Sequence, residues 1–516
     1  MKYPIGIQSF EKIRTEGFLY IDKTDLVYKM ASEGSYYFLS RPRRFGKSLL
    51  ISTFEAYFSG QRNLFESLAI SGLEEKWDKY PVLHLDLNSR DYKDESSLTA
   101  ELNRHLETWE RKYSCEAYKD RAIEERFLHV VESAFSTTGK QVVVLVDEYD
   151  KPLLQAIGND SLQESYRSTL KAFYSVLKTC DRHIRFAFLT GVTKFGKVSV
   201  FSDLNNLTDI SFDRRYTRIC GITEKELHDN LDDAVALLAE SNGLDKQACY
   251  AKLAEDYDGY HFEWNTEGLY NPFSLLNTLS SCQFRDYWFE TGTPSFLVLQ
   301  LQKAGYRLDD MTEEGLTADT LNSIDILDEN PLPLLYQSGY LTIKGYDSEF
   351  KTYSLGFPNR EVRDGFIKYL VPFYTPKSEN KTRFSVDKFV GDIRAGQVEG
   401  FMRRLEAFMS KGDYALMGDK ELYFQNAMYV FFMLLGLYVE VERRTSDGRM
   451  DVLVQTPDYI YIFELKIDKS AEEALEQIER KGYAKPFASD PRKLFKIGVN
   501  FSSKTRCLDG WKVLDR

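Results

Sequence analysis

Apolar and polar positions in the first 220 residues fall into alternating blocks of strand and helix length. Tyr36-Tyr37-Phe38-Leu39 reads as a short strand, and Lys47 to Phe58 follows with helical spacing. Val82-Leu83-His84-Leu85-Asp86 is a second strand, followed by one long helical stretch from about Ser96 to Thr137. Val142 to Val146 are five aliphatic residues in a row, as expected of a strand buried on both faces of a parallel sheet. A helix from about Leu162 to Thr179 leads to a fourth strand, Ile184 to Leu189. Strand–helix–strand at this spacing predicts right-handed βαβ units and a doubly wound α/β sheet.

The pattern changes near Gly221. Thr223-Glu224-Lys225-Glu226 is a capping box that opens a helix. From there to about Tyr374, helices alternate with short aromatic, glycine-containing segments such as Tyr257-Asp258-Gly259-Tyr260, which predicts a mainly helical lid or adaptor. Thr375 to Lys381 is polar and holds a proline, and the following stretch has the size of a small α/β domain. The expected division is therefore 1–221, 222–375 and 376–516. The longest nearly unbroken apolar run, Met428 to Val439, is too short to span a bilayer and predicts a buried helix.

Composition agrees with a globular chain. Of 516 residues, 43% are hydrophobic and 28% charged, and 33 Tyr and 35 Phe can fill several cores. The net charge of −12 argues against a chain that coats nucleic acid with its whole surface. From Pro376 onward 24 basic residues meet 22 acidic ones, so the C-terminal part is the better partner for a polyanion. The six cysteines are scattered, which excludes a CxxC pair, and no apolar leader opens the chain. A cytoplasmic protein with no membrane association is expected.

The first chemical signal is Arg41-Pro42-Arg43-Arg44-Phe45-Gly46-Lys47-Ser48, between a strand and a helix. Backbone N–H groups at such a helix start, with the helix dipole, form an anion cradle. Gly46 admits the phosphates, Lys47 reaches the β- and γ-phosphates, and Ser48 holds Mg²⁺. The usual first glycine of GxxxxGK[ST] is Arg41 here. The apolar strand that ends in Asp147-Glu148 supplies the second half of the site. Asp147 would complete the Mg²⁺ shell and Glu148 would orient the attacking water. Thr190, at the end of the fourth strand, is a candidate γ-phosphate sensor. Arg44 joins Gly46, Lys47, Ser48, Asp147 and Thr190 as the candidate nucleotide contacts.

Four stretches together carry a resemblance. They are Tyr20 to Thr24, Phe38 to Ser48, Asp147-Glu148-Tyr149-Asp150-Lys151-Pro152, and Leu204-Asn205-Asn206-Leu207-Thr208-Asp209-Ile210-Ser211. The chain resembles, along essentially its whole length, the bacterial AAA-ATPase-like family, which joins a P-loop NTPase to a C-terminal PD-(D/E)xK nuclease-like domain. The resemblance implies a restriction-endonuclease-like α/β fold for the C-terminal domain, and that arginine is usual at position 41. It is compatible with phage-defence or mobile-element biology.

The C-terminal motif also reads from its own residues. Gly448 to Val454 and Tyr459 to Lys466 are strands joined by Pro457-Asp458. A two-residue loop pairs 456 with 459, and that register sets Asp451 opposite Glu464, with Lys466 two residues further on the same face. Two adjacent carboxylates suit a divalent cation, Mg²⁺ or alternatively Mn²⁺. A neighbouring ammonium can orient a metal-bound water and offset charge on a phosphate. Glu421, at the start of the helix containing Met428, is a candidate further metal ligand. Gln477 and Tyr483 resemble the Gln-x₅-Tyr of many such nucleases, where these residues line the substrate side.

HExxH, GxSxG and GxGxxG motifs are absent, and nothing in the sequence reads base edges. The resulting expectation is an ATPase coupled to a metal-dependent nuclease acting on DNA or RNA. The competing readings are an ATP-regulated sensor or adaptor whose C-terminal domain binds nucleic acid or protein without cutting, and a protein-interaction scaffold. A homo-oligomer is left open.

Overall fold

The computed structural model describes residues 1–516 apart from 117–118, 196–203, 205, 291–296, 298–299, 302–303, 313–314, 323, 325–329, 375–385, 410–419, 438, 447–448, 505–506, 516 and the side chains of 290, 309, 312, 420–425, 442–446, 449–451 and 507. The chain forms two compact units. One comprises 1–296 with 312–362, and the other 297–311 with 363–516.

The first unit is built on a five-stranded parallel sheet of β1 (Tyr36–Ser40), β2 (Val82–Asp86), β3 (Val142–Asp147), β4 (Ile184–Gly191) and β5 (Thr208–Asp209), in the order β2-β3-β4-β1-β5. Every residue of β3 is buried, as its aliphatic run predicts. The helix after β1, α1 (Lys47–Phe58), packs Phe54 and Phe58 against Phe186 of β4. The long helical stretch expected from Ser96 to Thr137 is instead two helices, α2 (Glu95–Tyr113) and α3 (Ile123–Thr138). Ser114 ends the first with φ 53°, a left-handed C-cap. α4 (Asp160–Thr179) precedes β4 and packs against α2 and α3.

Beyond β5, the short pair β6 (Ile222–Thr223) and β7 (Leu269–Tyr270) frames α5 (Glu224–Ser241) and α6 (Lys246–Tyr257). The Thr223–Glu226 capping box is present as expected. α7 (Pro272–Ser281) and the single-turn α8 (Tyr287–Glu290) follow. The rest of this region is not purely helical. β8 (Gly315–Thr317), β9 (Thr342–Asp347) and β10 (Thr352–Gly356) form a small antiparallel sheet in the order β8-β10-β9. Its hairpin turn is fixed by Asp347, whose carboxylate accepts from the N–H groups of Glu349 and Phe350.

The second unit carries a five-stranded mixed sheet, β11 (Glu440–Ser446), β12 (Arg449–Gln455), β13 (Tyr459–Ile467), β14 (Lys493–Ser502) and β15 (Cys507–Asp515), in chain order. On one face Phe463 packs on Phe401 and Phe432, from the helices Val398–Met409 and Lys420–Leu435. The apolar run from Met428 is helical only to Leu435, where Gly436 breaks it ahead of β11. On the opposite face Ile460 and Ile462 pack on Leu475 and Ile478 of α9 (Ala471–Lys481). Residues 297–311 are held within this unit by Asn426, which accepts from the Leu308 N–H and donates to the Tyr306 carbonyl. The first unit is thus an α/β fold built on a parallel sheet, and the second an α/β fold built on a mixed sheet. Among the described residues no helix is long and apolar enough to cross a membrane.

Candidate nucleotide and nuclease sites

The loop between β1 and α1 has the shape of an anion cradle. Gly46 adopts φ 97° as the residue before α1, and nothing lies within 4 Å of where a Cβ would stand. Lys47 is buried, and its ammonium donates to the carbonyls of Arg41 (3.1 Å) and Pro42 (3.2 Å). It also sits 3.7 Å from the Glu148 carboxylate. Glu148 is held at φ 52°, a left-handed conformation that costs on the order of 1–2 kcal/mol for a residue with a side chain. Burial, and then the neighbouring Glu148, push the Asp147 carboxyl up to about 6, while the Ser48 hydroxyl and Lys47 pull the other way. A buried acid that resists ionisation until a cation arrives suits a Mg²⁺ ligand.

Arg41 explains the missing glycine. Its guanidinium is 1% exposed, lies 4.0 Å over the Phe262 ring, and donates to the carbonyls of Ser40 and Ser211. It therefore anchors the loop to the segment after β5. Arg44 is exposed at φ 68° and lies 4.7 Å over the Phe273 ring. Thr190 is fully buried, and its hydroxyl donates to the Leu39 carbonyl at 2.8 Å, so it is spent inside the sheet.

Sequence reasoning missed Asp150. This wholly buried carboxylate accepts from the N–H groups of Val192 and Thr193 and from the Thr193 hydroxyl. It pins the exit of β4 beside the site, and burial together with Glu148 raises its pKa to about 6. Its signals were its place in the acid-rich run after β3 and within one of the stretches that carry the resemblance. Next to Gly46 lies an apolar pocket of about 100 Å³ lined by Leu19, Ile21, Phe45, Ile222 and Leu276. Lys23 at its edge is buried and makes 2.5 Å contacts to both oxygens of Glu226. A larger open depression of about 1100 Å³, between α2, α3 and α4, contains none of the candidate residues.

In the second unit, the β12–β13 register pairs Asp451 with Glu464, as the hairpin arithmetic requires. Lys466 follows on the α9 face, where its ammonium donates to Glu464 and, at 2.8 Å, to Gln477 Oε1. Glu464 is 0% and Lys466 4% exposed. Gln477 reaches them because α9 lies directly on Gly498, the β14 partner of Glu464. A Cβ at Gly498 would stand 2.2 Å from the Ala471 carbonyl, so only glycine permits this approach. Tyr483 packs at the edge of the apolar cluster beneath the site. The side chains of Asp451 and Glu421 lie outside the described residues. Among the described residues no three His, Cys, Asp or Glu side chains are grouped to hold a metal.

The parallel sheet with its cradle defines a P-loop ATPase-like domain, and the acid-bearing hairpin with α9 defines a PD-(D/E)XK-like one. The comparisons agree. The family described as Predicted AAA-ATPase (AAA-ATPase-like) matches residues 4–201, and the PD-(D/E)XK nuclease superfamily matches residues 419–511. A protein of Azotobacter chroococcum mcd 1, the "Uncharacterized protein in vnfD 5'region", is 36% identical over 99% of this chain and 98% of its own length. A solved structure, the Aeropyrum pernix ORC1 protein in complex with DNA, covers 65% of this chain and 86% of its own at 11% identity and a TM-score of 0.21. The chain belongs to the predicted AAA-ATPase-like family that carries a C-terminal PD-(D/E)XK nuclease superfamily domain.

Proposed function

We propose that the protein is an ATP-gated, metal-dependent nuclease acting on DNA or RNA. In this reading residues 1–221 bind and hydrolyse ATP, 222–375 respond to the nucleotide, and 376–516 cut. Gly46, Lys47, the exposed Arg44 and the first N–H groups of α1 would take the phosphates. Ser48 and Asp147 would hold Mg²⁺, and Glu148 would orient water. The apolar pocket beside Gly46 suits the base. Thr190 would act indirectly, by fixing β4 against β1.

The observation that carries the nuclease reading is the Lys466 ammonium, held between Glu464 and Gln477 on the strand paired with Asp451. Asp451 and Glu464, with Glu421 as a further carboxylate, form an all-oxygen donor set, which suits Mg²⁺ or Mn²⁺. Such an ion lowers the pKa of a bound water and stabilises charge on a phosphate. Lys466 would keep an ammonium beside the reacting phosphate, and Gln477 would fix its direction.

One observation favours the second reading, a sensor or adaptor that binds without cutting: Glu464 and Lys466 are almost completely buried. A panel of single- and double-stranded DNA and RNA, incubated with Mg²⁺ or Mn²⁺, separates the two. Cleavage lost in EDTA and in Asp451→Ala supports the nuclease. Binding without cleavage under every condition supports the adaptor.

A further inference from the structure

The phosphate loop is gripped, residue by residue, by the region that follows β6. A Cβ on Gly339 would stand 2.6 Å from Pro42 Cβ, so only a glycine at 339 lets that backbone approach the loop. The Trp288 indole N–H points to the Arg43 carbonyl at 3.5 Å. Arg44 lies over Phe273 of α7, and the Phe45 ring meets Tyr260 edge-on at 4.8 Å.

Two of these contacts lead to one buried acid. Glu361 is 3% exposed, and its Oε1 accepts the Trp288 backbone N–H at 2.8 Å. The Ser274 hydroxyl, on the residue after Phe273, faces the same carboxyl. Glu361 thus touches both elements that hold Arg43 and Arg44. We propose that Glu361 is a positioning residue for the phosphate loop, acting through Trp288. The proposal rests on the nucleotide reading above.

The chemistry of the surroundings favours an uncharged acid. The groups facing Glu361 are the carboxylates of Asp286 and Asp256 and the hydroxyls of Tyr257 and Tyr260. Asp256 is already paired with Arg360 and Lys252. Burial, above all, raises the Glu361 carboxyl to about 8. The Trp288 N–H and the Ser274 hydroxyl favour the carboxylate, but burial and the two facing carboxylates outweigh them, so the neutral acid is the form this site holds and the ionised form is driven toward water. Ionisation would release the Trp288 segment and, with it, the Arg43 carbonyl. The chain runs on from both tied segments into the second unit, at residues 297 and 363.

The experiment measures binding of a fluorescent ATP analogue with Mg²⁺ to the full chain between pH 6.5 and 9.5, alongside thermal unfolding without nucleotide. Wild type should lose affinity, by roughly fivefold or more, as the pH rises through about 8, the effect of losing one held contact. Glu361→Gln, which keeps the acceptor but cannot ionise, should match wild type at pH 7 and show no such loss. Trp288→Phe should bind several-fold more weakly at pH 7. The unfolding transition of the first unit should move down as the pH rises from 6.5 to about 8 in wild type and level off above that, and it should stay level in Glu361→Gln. A Glu361→Gln profile that falls as wild type does, or Trp288→Phe binding as tightly as wild type, overturns the proposal. Lys47→Ala serves as the control: if it binds as well as wild type the nucleotide reading fails, while the unfolding profiles still decide whether Glu361 is held as an acid.

Discussion

Replacing Lys466 with methionine keeps the length of the side chain and removes its charge. In the folded second unit this leaves the Glu464 carboxylate, 0% exposed, without its ammonium, and Gln477 Oε1 without that donor. Breaking a buried ion pair from one side costs about 3–5 kcal/mol, and a lost hydrogen bond adds about 1 kcal/mol. Protonation relieves a buried carboxylate that has lost its ammonium, so the loss should shrink as the pH falls. Converting both partners, Glu464→Gln with Lys466→Met, should restore stability to within about 1–2 kcal/mol of wild type, because no uncompensated charge remains. A chain of two units does not unfold in one step, so hydrogen exchange of the β13 and β14 amides is the suitable assay. A loss of about 4 kcal/mol predicts exchange roughly a thousandfold faster in Lys466→Met. Mg²⁺ should recover part of that protection, since an ion at Asp451 and Glu464 replaces the missing positive charge. Exchange within about threefold of wild type, or a double variant as labile as the single one, would refute the reasoning.

At the nucleotide site, Lys47→Ala should weaken ATP binding at least tenfold or so, and Glu148→Gln should bind normally while hydrolysis slows by about 10²-fold or more; calorimetry and phosphate release measure the two. Asp147 titrates near 6, so Mg²⁺-dependent ATP binding should fall as the pH drops through that value, and Asp147→Asn should remove the dependence. The sign is opposite for the nucleotide-free fold: an acid whose folded pKa is raised loses stability as pH rises from about 4 to 6, by roughly 3 kcal/mol, which thermal melts of wild type and Asp147→Asn would reveal. Gly498→Ala should cost about 1–3 kcal/mol by pushing α9 off the sheet, and should reduce cleavage more than binding because Gln477 moves away from Lys466.

Local rules made much of this molecule legible. The strand at Val82–Asp86 and the helix at Lys47–Phe58 fall where periodicity puts them, because each carries an uninterrupted period of its own. The Asp451–Glu464 pairing followed from a two-residue turn alone, since register in a hairpin is set by the loop. Other features depend on distant partners. The break at Ser114 interrupts a pattern that remains helical on both sides. The β9–β10 hairpin carries glycine and charge within its strands, which dilutes the alternation. Arg41 departs from the glycine motif, and the groups that hold it, Ser211 and Phe262, lie far along the chain. Nothing local marks Glu361, whose partner Trp288 lies 73 residues away.

The central claim is that nucleotide occupancy at Lys47 governs cutting at Asp451, Glu464 and Lys466. The most direct test is cleavage of the mixed DNA and RNA panel with Mg²⁺, with and without ATP, by wild type, Lys47→Ala and Glu464→Gln. The account predicts metal-dependent cleavage by wild type that changes with ATP, ATP-independent behaviour in Lys47→Ala, and no cleavage in Glu464→Gln. Cleavage by Glu464→Gln, or wild-type cutting indifferent to ATP, would contradict it.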